Sequence, residues 1–262
     1  MKKPELMKIK PLWLREKLFY KFYFQQTNEL SNLFENANLE FAPQISLKLM
    51  PTDVSHKMLA FCGFYELPVS RRIAKLAKAD GLMVDVGANY GYYSCLWAAA
   101  GAKNRVLAFE ASPRNLSALK LNVINNKLET KIDIHEIALG KESGNLKFDL
   151  GPNEQSGWGG LVLENSRNMI EVPVVSLDEV FLNSDHERID VLKIDTEGAD
   201  TWVLQGAENL LRSHRIKHIF FEENKVRMSK LGIKPGEAQK FLQNCGYRLE
   251  NLDKGEWYAR IS

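Results

Sequence analysis

Cysteine is scarce in this chain: Cys62, Cys95 and Cys245 are the only three among 262 residues. They are widely spaced, form no Cys-x-x-Cys pair and are odd in number. That argues against a disulfide framework or a zinc site and for buried thiols in a reducing compartment. No run approaches eighteen apolar residues, and Lys21 interrupts the aromatic-rich stretch near the start. The sequence therefore reads as having neither a membrane-spanning helix nor a signal peptide, and the expected location is cytoplasmic. Net charge is also small, 35 basic against 33 acidic residues giving +2, too little to advertise nucleic acid as a partner. No internal repeat is visible. What is present, 45% apolar and 26% charged residues, matches an ordinary globular protein, and the length allows one or two domains with a substantial core.

The charge is unevenly distributed. Residues 1–24 hold seven basic groups (Lys2, Lys3, Lys8, Lys10, Arg15, Lys17, Lys21) against Glu5 and Glu16, a net +5, so the remainder of this +2 chain carries −3. Within this arm, residues 12–24 place Lys17, Lys21 and Gln25 on one helical stripe and aromatic or aliphatic groups over most of the remaining circumference. Such a helix suits packing on the body of the protein or on a second subunit, and it also suits a membrane surface. Packing or a dimer contact through residues 11–25 is the first expectation, a peripheral membrane contact the second, and nucleic acid the last.

From residue 82 onward, short β-branched or apolar runs alternate with helical patterns, the signature of a parallel sheet covered by helices on both faces. The strands fall at residues 82–86, 105–110, 131–137, 189–195 and 216–222. Ser112-Pro113 and Ser176 with Glu179 read as helix starts, and residues 234–244 as a further helix stopped by Gly246. Residues 247–249 and 257–261, joined through Asp253-Lys254-Gly255, read as an antiparallel hairpin. Two more strands, 144–150 and 170–175, flank a glycine-rich loop at 151–160 in which Trp158 could stack on a sugar face. Upstream, helices are expected near 12–34 and 69–79, giving an N-terminal helical extension over 1–80 and a catalytic domain over 81–262.

The strongest local signal is Asp85-Val-Gly87-Ala-Asn89-Tyr-Gly91, an apolar strand entering a glycine turn and then a helix. Glycines let the backbone approach a ligand, and the new helix points free N–H groups at it. Twenty-five positions after Asp85, Glu110 ends the second strand, where an α/β nucleotide fold hydrogen-bonds ribose hydroxyls; a carboxylate accepts both bonds of a vicinal diol. The third element, Lys193-Ile-Asp195-Thr196-Glu197-Gly198, ends the fourth strand at the edge of the ligand crevice; Asp195 or Thr196 could instead merely cap the next helix. Glu222 and Glu223 end the following strand, and alternation sends one toward the crevice and the other toward a helix.

These stretches, with Phe109 to Asn115, Ala138-Leu139-Gly140 and Ser176-Leu177-Asp178, together resemble the FkbM-type family of S-adenosylmethionine-dependent methyltransferases over roughly residues 80–252. The resemblance implies a class I methyltransferase (Rossmann-like) open sheet, mostly parallel with an antiparallel C-terminal hairpin. It also implies S-adenosyl-L-methionine as cofactor, with Asp85, Gly87, Asn89, Gly91 and Asp195 at its binding turn, Gly87 and Gly91 near the methionine end, Glu110 at the ribose and Ala138 near the adenine. Asn89 replaces the middle glycine of the general methyltransferase pattern, as is common in this family. Acceptors in the family are typically hydroxyl groups, on sugars or natural products.

Methyl transfer from a sulfonium needs no covalent enzyme intermediate; the protein aligns the acceptor oxygen, excludes water and takes the hydroxyl proton. Asp195, Glu197 and Glu222 are the expected proton acceptors or acceptor-binding groups. His56, in a segment (51–56) placed to fold back as a lid, is a further candidate base. The same carboxylates could hold a divalent ion, although no fuller ligand set is evident, so no residue is assigned to a metal. Two rival functions remain at this level. A nicotinamide-dependent oxidoreductase lacks its Gly-x-Gly-x-x-Gly here and fits the terminal hairpin poorly; a non-catalytic nucleotide-binding module would keep the same pocket.

Overall fold

Strands rich in Val, Ile and Phe stack here as a parallel sheet because both of its faces are covered, which favours continuous apolar runs over alternation. The computed structural model describes residues 8–24, 32–152, 155–163, 168–253 and 255–261. The chain opens with helices α1 (Leu12–Phe22) and α2 (Asn32–Glu35), a short ladder β1 (Ala37–Asn38) and β2 (Ser46–Leu47), and helices α3 (Val54–Cys62) and α4 (Leu67–Leu76). Then come β3 (Leu82–Val86), α5 (Tyr92–Ala100), β4 (Arg105–Phe109), α6 (Pro113–Asn125) and β5 (Ile132–His135). An inserted four-stranded sheet follows, formed by β6 (Ala138–Leu139), β7 (Gly144–Asp149), β8 (Gly160–Val162) and β9 (Met169–Val175). The chain closes with α7 (Leu177–Leu182), β10 (Ile189–Ile194), α8 (Asp200–Gln205), α9 (Glu208–Arg212), β11 (Ile216–Glu222), α10 (Lys225–Lys230), α11 (Glu237–Asn244), β12 (Tyr247–Asn251) and β13 (Glu256–Ile261).

The main sheet runs β12-β13-β11-β10-β3-β4-β5, with β13 antiparallel to both neighbours and the remaining pairs parallel. This is the mostly parallel open sheet with an antiparallel terminal hairpin that the sequence predicts, the class I methyltransferase arrangement. The chain winds outward from β3 through β4 to β5, then returns to β10 on the other side of β3. The carboxyl ends of β3 and β10 therefore flank the topological switch point, where an open α/β sheet takes its ligand.

Local signals explain most boundaries. Ser176 accepts the Glu179 N–H as expected of a capping box, but the Glu179 carboxylate turns to the Ser143 hydroxyl and leaves the box half made. Ser112 occupies the N-cap position of α6 without using its hydroxyl; Glu110 accepts the Ser112 N–H instead. The helix expected from 234 begins only at Glu237, because Gly236 takes a left-handed conformation that a helix cannot include. Asn153, Glu154 and Lys254 of the two predicted loops lie outside the described residues.

The N-terminal extension is not purely helical, since it contains the β1–β2 ladder. Nor is it packed apart from the rest: Leu12, Phe19, Phe61 and Phe64 share one apolar core with Met83, Leu96, Trp97 and Phe220. Asn122 and Asn126 of α6 clamp the backbone of Ser46 and Lys48, as an extra strand would. On α1 the inward face, Leu12, Arg15 and Phe19, is buried on the body, with Arg15 bonded to Glu40 and the Cys62 carbonyl. Lys2, Lys3 and Glu5, Gln25 and most of the expected stretch between Phe24 and Phe34 lie outside the described residues. Among the described residues no helix is long and apolar enough to cross a membrane.

Candidate functional site

Two cavities open at the switch point, and Gly87, Asn89, Gly157 and Asp195 line both. The junction is built from close backbone approaches. Gly87 has φ +78°, and a Cβ there would lie 1.9 Å from the Asp195 carbonyl oxygen, so only glycine fits between β3 and β10. The turn is tied on its other side by Gly87 and Ala88 N–H bonds to the Phe109 carbonyl, 2.9 and 3.0 Å. Gly91, by contrast, lines neither cavity; it is the left-handed N-cap of α5, and a Cβ on it would meet Leu119.

The first cavity encloses about 580 Å³. Its walls are apolar at Val86, Phe109, Ala138 and Leu139, a slot suited to a flat heterocycle, with polar groups at Asn89, Glu110 and Asn115. Glu110 is buried; one oxygen accepts the Asn89 N–H and the other the Ser112 N–H, both at 2.8 Å. Each oxygen keeps a second lone pair, so a diol can still be held. Burial pushes Glu110 up to about 7, against the pull of the two N–H bonds. Two further acceptors, Asn89 Oδ1 and Asn115 Oδ1, are buried and without a hydrogen-bond partner. Unpaired buried acceptors cost free energy, and here both belong to side chains of residues that line this cavity.

The second cavity, of about 740 Å³, is aromatic and ionic: Tyr65, Tyr90, Tyr92, Tyr93 and Trp158 surround Asp85, Lys193, Asp195, Glu197 and Glu222. Neither Asp195 nor Thr196 caps the next helix, whose N-cap is Ala199; Asp200 ties that turn by accepting from Thr196 and from the Glu222 N–H. Asp195 and Glu197 line the cavity, Asp195 beside Lys193, and Glu197 accepting from the Asn224 amide at 2.9 Å with Arg227 3.8 Å away. Glu222 lines it while Glu223 turns away to the Gly236 N–H, as strand alternation requires. Burial, reinforced by Asp195, raises Glu197 to about 7 and Glu222 to about 8. Asp85 is buried with the Ser94 hydroxyl bonded to it and is pushed up to about 6 by burial; it lines this second cavity and not the first.

Lys193 is the residue that motif reading underrated. It is 1% exposed near the end of β10, flanked by Leu192 and Ile194, with Nζ 3.6 Å from Asp195 and 4.0 Å from Glu66, over the Tyr93 ring. Burial alone would lower it, yet the field of Asp195, Glu66 and Glu256 holds it well above its ordinary value, so it stays charged. A lysine inside the run Ile-Asp-Val-Leu-Lys-Ile was the available signal. Glu66 and Glu256, from segments far apart in sequence, had none. Burial and mutual repulsion keep Glu256 protonated, at about 10.

The glycine-rich loop closes the junction. Ser156 is gripped from three sides: Asp53 accepts its N–H, Asn115 donates to its carbonyl, and His56 Nε2 lies 3.4 Å from its hydroxyl. Gly157 and Trp158 follow, with Trp158 half exposed at the mouth of the second cavity. Segment 51–56 thus reaches the loop, but His56 is 2% exposed, and its Nδ1 accepts the Met50 N–H, which leaves the ring proton on Nε2. Burial lowers it to about 4, so it is neutral and engaged in holding the loop. Among the described residues no group of three or more His, Cys, Asp or Glu side chains is arranged to hold a metal ion.

Comparison with known proteins finds relatives of this chain. A model of the methyltransferase FkbM domain matches residues 85–249. The hexuronic acid methyltransferase AglP of Haloferax volcanii is 28% identical over 185 residues, 71% of each chain. Methyltransferase sdnD of Sordaria araneosa is 25% identical over 211 residues, 68% of this chain and 78% of the relative. Among solved structures, a methyltransferase FkbM from Methylobacillus flagellatus aligns with 88% of this chain at 12% identity and a TM-score of 0.48. This chain spans 57% of the length of that one.

Proposed function

The chain belongs to the FkbM methyltransferase family, and from that premise we propose that it transfers the methyl group of S-adenosyl-L-methionine to a hydroxyl oxygen of a saccharide or similarly polyhydroxylated small molecule. The observation that carries this reading is the junction of two unlike cavities at Gly87, Asn89, Gly157 and Asp195. When bound, the cofactor supplies an electrophilic methyl carbon on a sulfonium. The first cavity suits its adenosyl part: Ala138 and Phe109 would enclose the heterocycle, Glu110 would take the ribose diol, and Asn89 and Asn115 would lie along its polar edge.

In the second cavity the tyrosine faces and Trp158 suit the apolar face of a sugar ring, and the carboxylates suit its hydroxyls. Asp195, on the wall common to both cavities, takes the hydroxyl proton at its carboxylate. Lys193, 3.6 Å away, keeps that carboxylate in place and balances its charge. Glu197 and Glu222, with values near neutral, hold the neighbouring hydroxyls, and Trp158 with Gly157 keeps water from the junction. The hexuronic acid specificity of the Haloferax volcanii relative supports a sugar acceptor as the first class to screen.

The test is incubation of the protein with labelled S-adenosylmethionine and a panel of sugars, hexuronic acids and phenolic or amine acceptors. Label should appear on a sugar hydroxyl, with thermal stabilisation by S-adenosylhomocysteine and none by NAD. Transfer confined to amines, or stabilisation by NAD alone, contradicts the reading.

A further inference from the structure

The outward face of α1 takes no part in the two cavities. At 100° per residue, Trp13, Lys17, Tyr20 and Lys21 fall on one stripe opposite the buried Leu12, Arg15 and Phe19, and Phe24, just past the helix, is 36% exposed. Trp13 is 57% and Tyr20 55% exposed, the Tyr20 hydroxyl reaching Met58, while Phe22, 50% exposed under the Lys21 ammonium, ends the helix on the side of Arg15. We propose that this face is a docking surface for an anionic membrane.

Two features of the patch fit that partner. Large aromatic rings left in solvent, interleaved with lysines, match the boundary of a bilayer, where rings enter the headgroup layer and ammonium groups meet lipid phosphates. The charge distribution is complementary as well: residues 1–24 carry a net +5 on a body of −3, so a negatively charged surface draws this end in first. Lys57 of α3 extends the patch beside Phe24. The nearby acids do not cancel it. Glu40 is paired with Lys10 and Arg15, and Glu16, raised by burial and then by Asp253, lies partly buried between the stripe and the inward face. The site also gains from the placement. Through Phe19 and Phe61, α1 packs on α3, whose first turn contributes Ser55 and His56 to the second cavity. Docking on α1 therefore leaves α3, which forms part of that cavity's wall, directly behind the docked helix.

The proposal stands apart from the choice of acceptor and is tested with the full chain and vesicles of neutral phosphatidylcholine or of phosphatidylcholine with about one-third phosphatidylserine. Binding to the anionic vesicles should exceed that to neutral ones at least about tenfold and fall steeply with added salt. Lys17→Glu with Lys21→Glu should lower it at least about tenfold and Trp13→Ala about threefold or more, with unchanged melting temperatures because these side chains are exposed. Salt dependence of the unaltered protein decides the question without any variant. Equal binding to both vesicle types, or variants that bind as well as the parent, overturns the proposal. So does a concentration-dependent dimer that Trp13→Ala abolishes, since it would assign the face to a second copy.

Discussion

The two cavities that meet at Gly87 and Asp195 are made of different materials. The first is shaped by backbone: a left-handed glycine, a carbonyl packed against it, and a carboxylate fixed by two N–H bonds. The second is shaped by ionisable and aromatic side chains drawn from α3, α5, β10, β11 and the glycine-rich loop. The contrast teaches a division of labour. A ligand of constant structure is met by fixed backbone geometry, while the group whose protons must move is met by side chains whose charge burial has tuned.

That division can be broken from either side. The largest effect is expected at Asp195. Asp195→Asn should lower turnover about 100- to 10,000-fold, the range for loss of a general base, in a labelled-methyl transfer assay; near-normal turnover would move the proton acceptor elsewhere. Gly87→Ala should then damage both cavities at once. Its Cβ cannot coexist with the Asp195 carbonyl, so a loss of about 2–4 kcal/mol in denaturant unfolding is expected. A milder change, Asp53→Ala, removes a helix cap and one of the three grips on Ser156. Stability should fall about 1–2 kcal/mol, and amides near Gly157 should exchange faster than those of β3.

The smallest effect separates the cavities by pH. Glu222 lies at about 8 in the folded protein against an ordinary 4.5. Between those values the folded state keeps a proton that the unfolded chain has released, so this group lowers stability progressively as pH rises through the window. Glu222→Gln should therefore melt at temperatures that gain on the parent progressively between pH 5 and ~8. A constant difference across that range would mean that Glu222 is not raised.

The same contrast explains what could be read from the sequence. Strand 82–86, its glycine turn, Glu110 and the Lys193 to Gly198 stretch are local signals, because backbone geometry demands glycine or an acid at fixed offsets, and the sheet follows from them. The second cavity was only half legible. Asp195, Glu197 and Glu222 lie at or just past strand ends and can be placed, but Tyr65 reaches it, and Glu66 and Glu256 reach Lys193 behind it, from segments whose own patterns carry no signal. Lys193 was visible as a residue, and its burial among carboxylates required the fold. Gly91 misled, since a glycine that packs a helix against Leu119 looks in sequence like one that meets a ligand. His56 does line the second cavity, but its environment, set by Met50 and Ser156, is formed only in three dimensions.

The division of labour is tested most directly by calorimetric titration of S-adenosylhomocysteine into the parent protein, Glu110→Ala and Asp195→Asn side by side. Loss of Glu110 should weaken binding by about 1–3 kcal/mol, or about 5- to 150-fold, while Asp195→Asn binds within about threefold of the parent. Unchanged affinity in Glu110→Ala, or a collapse of binding in Asp195→Asn, would contradict the assignment of one cavity to the cofactor and the other to the acceptor.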